Sequence, residues 1–186
     1  DDDDDECCCH HHHDHDHEHE HEHHHEHEHH GHHHHSAMRD IEGIINGLNV
    51  SEKVKNDAIA VYKLIAEAES SVHGVEVSEI HFHEVGTKDA VADVTAVCML
   101  MEKLGIERVE ASNVHVGSGH VHCAHGVFPV PAPATAYILR DVPIYGGGIK
   151  GELCTPTGAA LLKYFAKGFG EMPAMTVSGI GYGMGK

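Results

Sequence analysis

The chain has 186 residues, with 12 Lys and Arg against 30 Asp and Glu and 25 His, for a formal net charge of −18 at pH 7. Acidity of that size excludes a surface built for nucleic acid, whose phosphates select clustered Lys and Arg, and argues equally against an anionic membrane face. No apolar run approaches the ~20 residues of a spanning helix and no secretory leader pattern is visible, so no membrane contact is expected.

The composition is divided. Residues 1–35 hold 18 of the 25 His, 13 of the 30 acids, three adjacent cysteines (Cys7, Cys8, Cys9) and no Lys or Arg, leaving 17 acids against 12 basic residues in the remainder. The opening stretch, residues 1–36, has nothing to bury and is expected to be a disordered His/Asp/Glu-rich metal-binding tail. Neutral imidazole suits Zn, Ni, Cu and Fe, and the interleaved acids add a negative field that draws cations without fixing a geometry. Protonation near the ordinary His pKa of about 6.5 should release the metal. Adjacent cysteines are not the spaced framework of a secreted disulfide protein, so a reducing cytoplasm is the expected home.

Residues 37–186 are expected to form one α/β domain, a small sheet packed with about three main helices around an aliphatic core, as a segment of a longer protein. A short helix is predicted around Arg39–Asn46. The next helix is capped by Ser51 and stopped by Gly74, with Val54, Ala58, Val61, Ile65, Ala68 and Val72 on one stripe; it is expected to be scaffold. The phrase "HFHEVG" (His81–Gly86) then places two imidazoles and a carboxylate in four residues. A second helix follows, capped by Thr87 and stopped by Gly105, with an apolar face of Ala90, Val94, Val97, Cys98, Met101 and Leu104. Asp89 and Asp93 project together from one turn of it, and the neighbouring Leu100 suggests a half-buried pair that repels itself unless a cation intervenes or one proton is kept. The alternative is a solvated acidic edge near a helix N-terminus.

"RVEASNVHVGSG" reads as a strand ending in a glycine turn, and "GHVHCAHG" as a loop or short strand holding His120, His122, Cys123 and His125 near one point, with His115 just upstream. The spacing fits no standard zinc finger, so it points to metal handling without naming a site type. "PVPAPATAYILR" changes from extended to helical, "DVPIYGGG" is a short strand, and a third main helix begins at Thr155–Pro156 with Leu161, Leu162 and Phe165 packing. Thr155, Thr157 and the exposed N–H groups of that helix start could hold a phosphate or carboxylate, or Thr155 could be a cap and nothing more. The final phrase, "MPAMTVSGIGYGMGK", reads as a strand running into glycines.

In order along the chain, "HFHEVGTKDAVADV", "VGSGHVHCAHGVFPVPAPATA", "GELCTPTGAALL" and "IGYGMGK" closely resemble the LarC-type nickel insertion proteins, with the resemblance running from Arg39 to Lys186. It implies insertion of nickel into pyridinium-3,5-bisthiocarboxylic acid mononucleotide, yielding the nickel-pincer cofactor of lactate racemase. It also implies consumption of CTP with a divalent cation, through a C-terminal part that is not in this chain. The family's N-terminal Asp-Cys, Ser-Gly and Gly-Asp-Met phrases are absent as well, so the chain corresponds to the middle of such a protein. Lactate racemase or a related apo-enzyme is the implied recipient, and a homo-oligomer is admitted alongside a monomer.

Nickel insertion as the resemblance describes it requires loose donors for Ni(II), a base for the proton on the ring carbon that nickel replaces, and donors for the phosphate. His81, His83, His120, His122, Cys123 and His125 are assigned to the metal. Glu84, Asp89 or Asp93 would supply the base, or a charge that tunes the imidazoles, and Thr155 with Thr157 would take the phosphate. Two other functions compete: a non-catalytic nickel or zinc store or metallochaperone, and a zinc hydrolase, the second weakened by the absence of a helical His-Glu-x-x-His pattern.

Overall fold

The computed structural model describes residues 36–82, 85–123 and 126–183, which fall within one unit, His33–Lys186. The tail through residue 35, and with it the expectation of disorder there, lies outside the described residues.

Ser36–Ala37 (β1) leads into Met38–Asn46 (α1), whose Asp40 carboxylate accepts the Ala37 N–H at 2.9 Å. Glu52–His73 (α2) begins where the Ser51 hydroxyl accepts from the Val54 N–H at 3.1 Å and ends at Gly74 in the left-handed region, φ 66°. His81–Phe82 (β2) pairs antiparallel with β1. Lys88–Leu104 (α3) is capped by Thr87, which accepts from the Ala90 N–H at 3.2 Å, and is closed by Gly105 at φ 62°. All four of these helix boundaries are the ones read from the sequence.

The expected sheet is distributed over five two-stranded ladders, within the α/β class anticipated. The single strand predicted for "RVEASNVHVGSG" is three: Val109–Ala111 (β3), Val114–His115 (β4) and Gly117–Ser118 (β5). His120–Cys123 (β6) and Gly126–Pro129 (β7) form an antiparallel ladder, with His122 opposite Val127. Pro133–Ile138 (α4), Ile144–Tyr145 (β8), Gly151–Glu152 (β9), Pro156–Phe165 (α5) and Ala166–Phe169 (β10) complete the order. β3 pairs in parallel with β10, β4 in parallel with β8, and β5 antiparallel with β9. The interruption has a physical cause: Gly117 and Gly119 both sit at φ 90°, which breaks extended backbone, and no side chain fits at Gly117 because the Gly151 carbonyl occupies its place.

The core is centred on α2, which packs against α1, α3, α4 and α5. Its predicted stripe is buried from Val54 through Ala68, and Tyr62 and Ala66 join it. Asp57, almost wholly buried on the same helix, accepts from the Tyr164 hydroxyl at 2.8 Å and from the Lys53 ammonium at 2.6 Å, tying α2 to α5. On α3 the buried positions are Val91, Val94, Thr95 and Cys98, so the inward face is turned from the one predicted, and Leu104 is 68% exposed. Asp89 and Asp93 are both exposed, and Leu100 is exposed beside them, so the half-buried acidic pair is corrected to a solvated edge. The closing strand is also corrected. Residues 172–183 carry no strand: Pro173 lacks an N–H for a ladder, glycines recur at 179, 181 and 183, and Met172 and Tyr182 are 80% and 97% exposed. Among the described residues no helix is long and apolar enough to cross a membrane.

Candidate functional site

A cavity of about 340 Å³ opens where several of these elements end. The last turn of α2 contributes Glu69 and His73, β2 contributes His81 and Phe82, and β6 contributes His122. Glu152 of β9 and the entrance of α5, Thr155–Pro156–Thr157, complete the polar part of the lining. The remaining wall is mostly aliphatic and aromatic, which suits a small organic molecule with a few polar handles.

Tyr62 holds the His81 segment in place. Its fully buried ring meets Phe82 edge-on, with centroids 6.1 Å apart at 69°, and its hydroxyl donates to the Val85 carbonyl at 3.1 Å. Phe82 and Val85 are neighbours in sequence of His83 and Glu84, so one side chain of the scaffold helix contacts the described residue before them and the one after. Burial, with the charge of Asp93 adding to it, pushes the Tyr62 hydroxyl well above its usual range, so it remains a donor. Gly86 packs so closely on Phe82 that a β-carbon there would lie 2.6 Å from the Phe82 β-carbon.

The predicted donors are therefore partly assembled. His81 and His122, from segments far apart in the chain, line the same cavity, and both side chains are exposed. His120 is exposed on β6, two residues before His122 and thus on the same face of the strand, but is not among the residues lining the cavity. His83, Glu84 and His125 lie outside the described residues, as does the side chain of Cys123. Asp89 and Asp93 do not line the cavity, although Ala90 between them does. Among the described residues, no three His, Cys, Asp or Glu side chains are grouped to hold a metal ion.

At the α5 entrance, Thr155 accepts from the Gly158 N–H at 3.3 Å, which makes it a cap as well as a cavity residue, and Thr157 faces the cavity beside it. Cys154 just before it is buried. Burial first, and then the nearby Glu152 carboxylate, push its thiol up to about 11, so near neutral pH it is a thiol rather than a thiolate ligand. Cys98 is likewise pushed up to about 11, by burial and then by Asp57. His115 takes no part in the cavity. It stacks on Tyr145 at 4.6 Å and 8°, and Gly147 presses against its ring.

Glu69, His73 and Glu152 are cavity residues that the sequence did not single out. His73 Nε2 stands 3.4 Å from a Glu69 carboxylate oxygen across one turn of α2, with the two side chains 38% and 22% exposed. The available signal was a Glu–His pair one turn apart in the last turn before a Gly stop, followed closely by "HFHEVG".

Chemically, the cavity offers separate imidazoles, two carboxylates and a helix N-terminus carrying two hydroxyls. Imidazoles can hold a borderline divalent metal, and the helix start favours an anion.

Over residues 6–186 the chain matches the family described as nickel insertion protein. A relative from Geobacter metallireducens is 49% identical over 146 residues, covering 78% of this chain and 37% of that protein. Two proteins named pyridinium-3,5-bisthiocarboxylic acid mononucleotide nickel insertion protein are similarly related. The one from Staphylococcus saprophyticus is 42% identical over 146 residues (78% of this chain, 37% of that protein). The one from Desulfitobacterium hafniense is 44% identical over 148 residues (80% and 37%). The chain thus spans a little over a third of the length of the curated relatives it matches. No solved structure matches it.

Proposed function

This chain belongs to the nickel insertion protein family, and from that footing we propose that it supplies the cavity in which nickel meets pyridinium-3,5-bisthiocarboxylic acid mononucleotide, the substrate named in its relatives. The observation that carries this reading is the convergence of His81, His122 and the Thr155–Thr157 helix start on one largely apolar cavity. Nickel is cargo here. His81 and His122, with His83, His120, Cys123 and His125 from the same two segments, hold it in transit, and the α5 entrance takes the substrate's phosphate. Glu84, Asp89 and Asp93 contribute negative charge that tunes those imidazoles. The complete protein is a nickel chelatase of the lyase class, a cyclometallase. It consumes CTP with a divalent cation through a part outside this chain, and its product is the nickel-pincer cofactor of lactate racemase or a related enzyme.

The chemistry follows from the substrate's name. Two thiocarboxylates at ring positions 3 and 5 flank C4, so a metal bound by both sulfurs faces C4, and bonding to it requires that the C4 proton leave. A donor set for this step must release nickel once the sulfurs take it, which favours separated imidazoles over a closed four-ligand site.

The test uses the complete protein with nickel(II), CTP and the apo-substrate, and follows the product by absorbance and mass. His81→Ala with His122→Ala should abolish insertion while the helical fold, read by circular dichroism, stays intact. Normal product from that double variant refutes the assignment. A second reading, a nickel or zinc store, is favoured by the 18 His within residues 1–35. Deleting residues 1–35 separates the two, since a store loses its function and an insertase needs only a higher nickel concentration.

A further inference from the structure

We propose that His73, held by Glu69 on the last turn of α2, is the general base that removes the C4 proton as the nickel–carbon bond forms. The assignment rests on the cavity reading above and deepens it. It starts from placement: His73 and Glu69 line the same cavity as His81 and His122, yet they belong to the rigid scaffold helix, whereas His81 and His122 sit on short strands.

Among the described residues, the titratable side chains lining this cavity are Glu69, His73, His81, His122 and Glu152. An imidazole whose lone pair is given to nickel cannot accept a proton, so His81 and His122, which carry the metal until the sulfurs take it, are committed to that task for part of the cycle. Imidazole is the side chain most often used as a general base, and the Glu69 carboxylate is engaged with His73. His73 is the described cavity imidazole that the metal assignment does not use. Its Nε2 lies 3.4 Å from the Glu69 carboxylate, an arrangement that orients the ring and stabilises the imidazolium as the proton arrives. Glu69 is accordingly a positioning residue and His73 the catalytic one.

The step balances without an oxidant. Nickel(II), bound by both thiocarboxylate sulfurs, withdraws electron density from a ring that is already cationic. The C4–H bond breaks heterolytically, its electron pair becomes the nickel–carbon bond, and the proton passes to the His73 imidazole. No electrons are gained or lost overall, and the imidazolium returns its proton to water when the cavity opens to solvent.

The experiment compares substrate carrying hydrogen or deuterium at C4 in the complete protein with nickel(II) and CTP. Wild type should show a primary isotope effect. His73→Ala should slow insertion by about 100-fold or more, with nickel and substrate binding by equilibrium dialysis unchanged, and added imidazole should restore a large part of the rate. His73→Gln, which keeps the bulk of the side chain, should behave in the same way, and Glu69→Gln should fall between it and wild type with the isotope effect retained. An unchanged rate in His73→Ala, a loss that tracks lost nickel affinity, or no rescue by imidazole overturns the base assignment. The His81→Ala, His122→Ala double variant in the same assay keeps the two claims apart. If it is inactive while His73→Ala is not, only the base falls. If it inserts nickel normally, the cavity reading fails and takes the base with it.

Discussion

Replacing Tyr62 with Phe removes one oxygen atom from the centre of the molecule and isolates the anchor of the His81 segment. The fully buried ring and its edge contact with Phe82 are kept, and what is lost is the hydrogen bond to the Val85 carbonyl at 3.1 Å. A hydrogen bond of this kind contributes about 1 kcal/mol net, and leaving the carbonyl without its partner raises the cost to about 1–3 kcal/mol. Against an ordinary domain stability of about 5–15 kcal/mol the variant stays folded. If the loss falls on the segment rather than on the whole fold, its opening equilibrium rises by roughly 5- to 150-fold, at about 1.4 kcal/mol per tenfold. Hydrogen exchange therefore gives the decisive assay. Amides around Val85 and Gly86 should lose protection by that factor, and the denaturant midpoint should fall without a change in slope. Nickel insertion should fall with the loss of local protection. Unchanged protection at Val85 and Gly86, with a stability change under about 0.5 kcal/mol, would show that the segment is held by something else.

Gly86→Ala attacks the same segment sterically, since the new β-carbon would lie 2.6 Å from the Phe82 β-carbon and 2.9 Å from the Phe82 carbonyl oxygen. It should cost about 1–3 kcal/mol by denaturant titration. Gly43→Ala in α1, where nothing lies within 4 Å of the added carbon, should instead stabilise by about 0.5–1 kcal/mol, and the opposite signs check the packing directly. The pH dependence follows from buried thiols and phenols. Cys98 and Cys154 are raised from 9.0 to about 11, and Tyr164 from 10.0 to about 12, each chiefly by burial. These groups prefer the neutral form when folded, so their contribution is complete below their unfolded values. It is lost as the pH rises through about 9 to 11 for the thiols, and higher for the phenol. Denaturant midpoints measured upward from about pH 8 should fall over that window. Cys98→Ala should flatten the fall, and an unaltered pH slope in that variant would refute the attribution.

What the sequence disclosed divides along a physical line. Ser51, Gly74, Thr87, Gly105 and Thr155 end or begin helices where they were expected to, because capping is decided by the few residues around it. The α3 face was misplaced because amphipathic spacing there allows two adjacent stripes. Packing, not periodicity, selects Val91, Val94, Thr95 and Cys98 and leaves Leu104 outside. Strand reading failed for the same reason. "RVEASNVHVGSG" has the alternation of one strand, but each of its pieces takes a different partner, and residues 172–183 have none. In the site, clustered imidazoles advertised His81 and His122, and their convergence on a cavity came from the fold. Glu69 and His73 were hidden because a Glu and a His at the end of a long amphipathic helix look like solvated scaffold until the neighbouring strand is seen beside them.

Under the function proposed above, the arrangement separates two requirements that conflict in any protein handing on a metal. The reacting ring must be held still, and the donors must let go. The helical part of the cavity lining comes from the end of α2, a helix packed against four others, and from the capped start of α5. His81 and His122 come from β2 and β6, each hydrogen-bonded as a strand to a single neighbour among the described residues. Two-stranded ladders of this length are marginal on their own and depend on packing for their stability, so β2 and β6 are expected to open at lower free energy than α2. A base on α2 would then stay in register with a substrate whose phosphate sits at α5, while the imidazoles on β2 and β6 give up their cargo without disturbing either. The expected signature is faster amide exchange at Phe82 and His122 than at Ala58 or Ile65 in the unliganded protein. Nickel together with substrate should slow the first pair and leave the second unchanged, whereas equal protection at all four positions would put the release on a different part of the fold.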